Sequence, residues 1–321
     1  MPDSALDYLR DPDWRGVEQD LVWLERPGNH LLQLADTRYP PLLRQIPQPP
    51  PLLFVHGEPD SLRTPQLAIV GTRNPTPPGR ETARHFAAHL AEGGLTITSG
   101  LALGIDAAAH QGALASGGRT IAVMGTSLDR VYPAKHRDLA HAIAESGALV
   151  SELPIGTAAL AENFPRRNRL ISGLALGVLV VEAAIQSGSL ITARLALDQG
   201  REVFAIPGSI HNPLVKGCHA LIRQGAKLVE TATDILEELD ALAAVITDEP
   251  AASSALAETA SRLDEDYRQL LAAMGDGPVG VDLLVERCGL TAEAVSSMLL
   301  ILELEGYATA VPGGLYCRLK P

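Results

Sequence analysis

The sequence predicts an α/β protein: a doubly wound, extended Rossmann-like parallel sheet, preceded by a short helical segment and followed by a winged helix. Three observations carry this. Short β-branched or apolar runs alternate with helix-compatible stretches from Gln66 onward. The runs are apolar almost throughout, as strands covered on both faces must be. Several end in Gly or Ser-Gly, beyond the carboxyl ends of strands, where such sheets hold ligands.

The elements follow in chain order. Residues 1–63 read as a few short helices ("DLVWLERPGNHLLQLA") and then the proline-rich "YPPLLRQIPQPPPLLFVHG", where repeated Pro forbids helix and favours extended chain. This segment reads as a lead-in packed on the next domain. Residues 64–240 form the sheet domain, with strands at "QLAIVG", "LTITSG", "RTIAVMG", "ALVSELP", "GVLVVEA", "EVFAIPG" and "AKLVE". Crossover helices such as "RETARHFAAHLAEGG" and "LITARLALDQG" lie between them. Residues 241–261, rich in Ala, Ser and acids, read as a partly helical linker. Residues 262–321 give two helices, Thr291 as the N-cap of a third, and two strands around Pro-Gly-Gly, which spells a winged helix.

Composition narrows the function classes. At 321 residues, with 46% apolar and 20% charged residues, the chain suits an ordinary globular protein. The N-terminus has no apolar signal stretch, and the longest apolar run, Leu174 to Val181, is too short to span a bilayer. A cytoplasmic protein without a membrane partner is expected. Cys218, Cys288 and Cys317 are scattered and odd in number, which speaks against a disulfide framework or a zinc site, and no metal or cofactor is expected. The formal net charge is −12, an unpromising figure for a nucleic-acid partner. The acids are concentrated at the end, however: residues 231–321 hold 5 Lys+Arg against 16 Asp+Glu, while residues 66–230 are mildly basic.

The basic residues collect at strand ends. In "VGTRNPTPPG", Gly71 permits a sharp turn, Thr72 and Arg73 offer donors, and the helix starting near Pro78 is expected to present free N–H groups to an anion. Ser99 and Gly100 end the next strand in the same manner. Lys135 follows the third strand, and "QSGSLITAR" places Ser187, Gly188 and Ser189 at another helix start. Most telling is "FPRRNRLISG", with Arg166, Arg167 and Arg169 in a first helical turn that ordinarily prefers acids. Phosphate explains that cost, since guanidinium forks match it bidentately, and Phe164 adds a ring for base stacking. Ion pairing with Glu152, Glu162 and Glu182 is the competing reading, with Glu182 expected to hold Arg167 or Arg169. Asp106 and His110 share a helix face near Ser99 but lack a nucleophile elbow, so no catalytic residue is assigned: Asp106 reads as a dipole partner and His110 as an ordinary helix residue.

The ordered motifs "AIVGTRNPTPPG", "TSGLALGIDAAAH", "VYPAKH", "SELPIG", "FPRRNRLISGLA", "VVEAAIQSGSLITARLALDQGREVFAIPG" and "GCHALIRQGAKLV" resemble the DNA-processing protein A (DprA/Smf) family across residues 66–240. The resemblance implies a dimeric, non-enzymatic protein of natural transformation that binds and protects incoming single-stranded DNA and loads the RecA recombinase on it. Its DNA pocket would use Gly71, Thr72, Arg73, Ser99, Gly100, Lys135, Phe164, Arg167, Asn168, Arg169, Ser187, Gly188 and Ser189. The dimer surface would use His219, Ile222 and Leu228, and the recombinase contact Arg223 and Gln224. The family's helical N-terminal domain is shortened here to some 60 residues, and Ala175 stands where the family usually has Ser.

Two other classes weigh less. A nucleotide hydrolase of the lysine-decarboxylase-like Rossmann type needs a loop carboxylate where "SGSLITAR" has Arg194. A transcription factor needs a basic recognition helix, whereas residues 292–305 hold Glu293, Glu303 and Glu305 and no Lys or Arg. The winged helix is therefore expected to bind protein, or its own chain, and not duplex DNA.

Overall fold

The computed structural model describes residues 14–246 and, beyond them, 270, 273–274, 279–291, 294–295, 298–299, 302, 308–311 and 315–318. They belong to two compact units that divide between Val245 and Ile246.

The strands of the first unit are β1 (Asn29–Gln33), β2 (Leu52–Gly57), β3 (Gln66–Val70), β4 (Thr96–Ser99), β5 (Thr120–Val123), β6 (Ala148–Ser151), β7 (Gly177–Val180), β8 (Glu202–Ala205) and β9 (Lys227–Leu228). They form one sheet in the order β1-β2-β6-β5-β4-β3-β7-β8-β9. From β6 to β9 all neighbours are parallel. Chain order runs outward from β3 on one side and from β7 on the other, so the topological switch point lies between these two strands. A crevice opens there in doubly wound sheets.

The helices are α1 (Trp14–Leu24), α2 (Pro41–Arg44), α3 (Pro77–Glu92), α4 (Ile105–Ala115), α5 (Arg137–Ser146), α6 (Asn163–Leu174), α7 (Gly188–Asp198), α8 (Lys216–Arg223) and α9 (Ala232–Ile246). They cover both faces, which is why every residue of β3 is buried. Alternation along that strand sends Leu67 and Ile69 to the face of α3, α4 and α9. Ala68 and Val70 go to the face of α6, α7 and α8. Each fully buried Ile or Leu contributes about 1.5–3 kcal/mol, so the strand is secured mainly by its side chains.

The proline-rich lead-in proves to extend the sheet. β1 pairs antiparallel with β2, and β2 pairs antiparallel with β6. Pro27 and Gly28, the latter at φ 79°, end α1 and turn the chain into β1. That Pro-Gly break lies inside the stretch read above as helical, and it was the signal for a strand. Leu43 and Ile46 then pack against Gly173 of α6, while Trp23 meets Phe54 edge to face at 5.8 Å.

The second unit carries β10 (Val279–Gly280), α10 (Val281–Cys288), β11 (Ala308–Val311) and β12 (Leu315–Arg318), with strand order β10-β12-β11. β11 and β12 are the expected antiparallel pair, and Thr291 Oγ1 accepts from Ala294 N at 3.2 Å, as an N-cap does. Val295, Leu299 and Leu302 of the third helix are buried. Its Glu293, Glu303 and Glu305 lie outside the described residues, as does the expected linker beyond Ile246. No helix among the described residues is long and apolar enough to cross a membrane.

Candidate nucleic-acid interface

At the switch point a cavity of about 500 Å³ opens between the loops that follow β3, β6 and β7. It falls within the size range of small-ligand sites. Nine of the expected residues line it: Gly71, Thr72 and Arg73 after β3, Phe164, Arg167 and Asn168 at the start of α6, and Ser187, Gly188 and Ser189 at the start of α7. Gly100 borders an adjoining hollow with Arg73, Phe164 and Arg167.

The α6 arginines do three different things. Arg166 is exposed. Arg167 turns inward, is 5% exposed, and donates through Nη1 to the Val123 carbonyl. Burial pushes its guanidinium down to about 10, with Asp106 acting in the opposite direction, so it remains a cation at neutral pH. Gly100 makes that position possible: a Cβ there would stand 2.3 Å from Arg167 Nη1. Arg169 leaves the cavity, forming an ion pair with Glu152 and donating to the Gln48 carbonyl at 2.7 Å. The ion-pair reading thus holds for Arg169 and Glu152.

Arg73 is exposed and makes no hydrogen bond or ion pair among the described residues. Its guanidinium carbon lies 5.9 Å from the centroid of the Phe164 ring, within cation–π range. Phe164 rests on Gly125, where a Cβ would come within 2.7 Å of the ring, and meets Tyr132 at 5.4 Å between centroids. The wall is therefore aromatic and edged by a free cation.

The two helix starts at the switch point differ. Thr76 caps α3, its Oγ1 accepting from Gly79 N at 3.0 Å. The buried carboxylate of Glu182 in turn accepts from Thr76 Oγ1 at 2.6 Å and Thr76 N at 2.9 Å. Two expectations are corrected here. Glu182 holds Thr76 rather than Arg167 or Arg169, and the N-terminus of α3 is occupied by the protein's own anion. Among the described residues α7 has only its own hydroxyl cap, Ser187 Oγ accepting from Ser189 N at 3.3 Å, and Gly188 faces open space. Its unfilled N–H groups and dipole favour an anion.

Three expected residues stand elsewhere. Ser99 is buried and its hydroxyl donates to the Ile69 carbonyl at 2.6 Å. Lys135 is exposed in a short 3-10 turn outside the cavity lining, and Arg169 is engaged as described. Asp106, read above as a dipole partner, is 7% exposed and lines the cavity. Burial pushes its carboxyl up against the opposing pull of Arg167. His110 is fully buried with Nδ1 on Thr120 Oγ1 at 2.7 Å, and burial takes it down to about 3. Tyr132 is the aromatic lining residue that sequence reasoning missed, along with apolar neighbours such as Ala102, Pro165 and Ile171; it stands three residues before Lys135, and an aromatic in a strand-end loop was the available signal.

At the far end of the sheet, His219 and Ile222 lie on α8 and Leu228 on the edge strand β9. Leu228 is 45% exposed, and Arg223 and Gln224 are exposed beside it.

Comparison with known proteins decides the family. A family model described as DNA recombination-mediator protein A matches residues 30–240. The chain belongs to this recombination-mediator family. A second model, the DprA winged helix domain, matches residues 249–314. Protein Smf of Escherichia coli is 48% identical over 307 residues, covering 95% of this chain and 82% of that one. DNA processing protein DprA of Streptococcus pneumoniae is 46% identical over 207 residues, 64% of this chain and 73% of that one. An X-ray structure of the Streptococcus pneumoniae protein superposes with a TM-score of 0.66 at 42% identity, covering 72% of this chain and 79% of that chain. DNA processing protein A of Helicobacter pylori, solved for its single-stranded DNA binding mode, gives a TM-score of 0.60 at 30% identity, covering 66% of this chain and 95% of that chain. Family membership accounts for the mixed α/β sheet and the winged helix together.

Proposed function

We propose that this recombination mediator is a single-stranded DNA-binding protein of DNA processing in natural transformation, and that it acts by binding rather than by catalysis. The observation that carries this reading is the cavity wall: a free Arg73, an open α7 N-terminus and a Phe164–Tyr132 aromatic face stand together at the switch point. Phosphate and a stacked base are the two groups that such a wall accommodates, and a single strand offers both. The Helicobacter pylori relative, solved for its single-stranded DNA binding mode, supports it.

The finer parts of the proposal are cytoplasmic action, a homodimer through His219, Ile222 and Leu228, and loading of RecA recombinase through Arg223 and Gln224. The exposed Leu228 on an edge strand supports the dimer, because such an edge otherwise invites uncontrolled pairing. Two pockets in one dimer would add avidity for longer strands.

The test is fluorescence anisotropy of labelled poly-dT over a salt series, against duplex and free nucleotide. Salt-sensitive binding to the single strand, in preference to duplex, is the expected result. Turnover of free nucleotide without strand binding would overturn it.

A further inference from the structure

One wall of the cavity is a loop that apolar packing does not hold. Between Ser151, which ends β6, and Asn163, which begins α6, no residue is buried, and residues 158–162 are all exposed. Yet Ala159 and Ala161 of this loop line the cavity, and the loop delivers Phe164 to its place beside Tyr132. An exposed loop with few apolar contacts opens easily unless polar contacts fix it.

Two carboxylates from different elements grip consecutive amides of the loop. Asp20, on α1, accepts from Ile155 N at 2.8 Å. Asp129, in the loop after β5, accepts from Gly156 N at 3.2 Å. Beside them Arg130 Nη2 donates to the Gly156 carbonyl at 3.3 Å and Ser127 N to the Thr157 carbonyl at 3.4 Å. Gly156 sits at φ 90°, a left-handed conformation that glycine adopts freely and that brings its backbone against Gln19 of α1. Hydrogen bonds to a carboxylate are shorter and stronger than those between neutral groups, which suits them to fixing exposed backbone. Neither Asp20 nor Asp129 lines the cavity. Three residues beyond Asp129, however, the same chain segment supplies Tyr132, so these contacts join the two segments that carry the aromatic rings.

We infer that Asp20 and Asp129 are positioning residues for strand binding: they hold the loop 152–162 in the conformation that completes the cavity wall before a strand arrives. This rests on the single-strand reading above and goes beyond it, because it gives a task to α1, a helix that contributes no residue to the cavity lining. A loop free to leave this conformation would bind only from the fraction of molecules whose wall is complete, and apparent affinity would fall by that fraction.

The test uses the full chain, with fluorescence anisotropy of labelled oligo-dT and amide hydrogen exchange of residues 153–160 in the free protein. Asp20→Ala is expected to weaken binding about fivefold, by lowering the competent fraction to about one-fifth, and to speed exchange of that segment. Its salt slope should match wild type, because no phosphate contact is lost. Asp20→Asn keeps an oxygen for Ile155 N and should restore both affinity and protection, a rescue that separates a hydrogen-bond acceptor from a charge acting at a distance. Thermal unfolding confirms that folded proteins are compared, and Asp129→Ala, which removes the acceptor on the other element, takes the place of Asp20→Ala should that variant fail to fold. Wild-type affinity in a folded Ala variant, weakened binding with unchanged exchange, or an Asn variant as weak as the Ala variant would overturn the inference and leave the single-strand reading standing. Failure of wild-type protein to bind oligo-dT would overturn both.

Discussion

The starts of α3 and α7 follow adjacent parallel strands, open toward the same crevice and carry the same helix dipole, yet the protein treats them oppositely. At α3 it supplies its own anion, Glu182, held by Thr76. At α7 it supplies only the hydroxyls of Ser187 and Ser189. An internal carboxylate at a helix start stabilises the fold and removes that terminus from ligand binding. A terminus without one leaves dipole and N–H groups available, and the cavity lies against that one.

Several substitutions break or sharpen this contrast. Glu182→Ala removes a buried acceptor of two hydrogen bonds, each worth about 1.5–3 kcal/mol when the acceptor is charged, so a loss of about 3 kcal/mol is expected by denaturant unfolding. Equal stability to wild type would mean that α3 needs no internal anion. His110, buried as deeply but hydrogen-bonded to Thr120 and absent from the cavity lining, is the reference for burial without a binding role. Burial lowers its folded pKa, so the unfolded chain takes up the proton first and stability falls as pH drops from about 6.5 toward 3. By pH 5 that amounts to about 2 kcal/mol, and His110→Gln should flatten the slope of melting against pH.

Arg73→Ala, at the open side, should weaken oligo-dT binding about tenfold, or about 1.4 kcal/mol, and reduce the salt slope by roughly 0.7. Its melting temperature should change little, because the exposed guanidinium makes only the cation–π contact with Phe164 among the described residues; a large drop in melting with unaltered affinity would reverse the assignment. Ser187→Ala removes an N-cap and should cost about 1 kcal/mol of stability together with some affinity. Full strand affinity in this variant would place the anion away from α7.

Much of this was legible in the residues, for identifiable reasons. The parallel strands read clearly because both faces are buried, which leaves continuous apolar runs such as "LAIVG". The switch-point site read clearly because Gly, Ser and Arg at strand ends break the surrounding apolar pattern. β1 escaped because "NHLLQ" has no alternation of its own, and its place is set by pairing with Leu52–Gly57. The roles of Arg167 and Arg169 could not be separated because they depend on which way each faces from α6, which no spacing in "FPRRNR" records. Glu182 was misassigned for a related reason: its partner, Thr76, is distant in sequence, and a nearby arginine is the more obvious candidate.

The ties between the lead-in and the sheet have a practical consequence for dividing the chain. A fragment beginning at Gln66 would retain every parallel strand and every lining residue of the cavity. It would also uncover the hydrogen-bonding edge of β6, strip Leu43 and Ile46 from Gly173, and leave Arg169 without the Gln48 carbonyl. An uncovered strand edge beside bared apolar surface is a template for aggregation. A piece that retains both the cavity and this packing therefore begins before Asn29, and its solubility is decided at the β6 edge and on the flank of α6 that holds Gly173 rather than at the cavity.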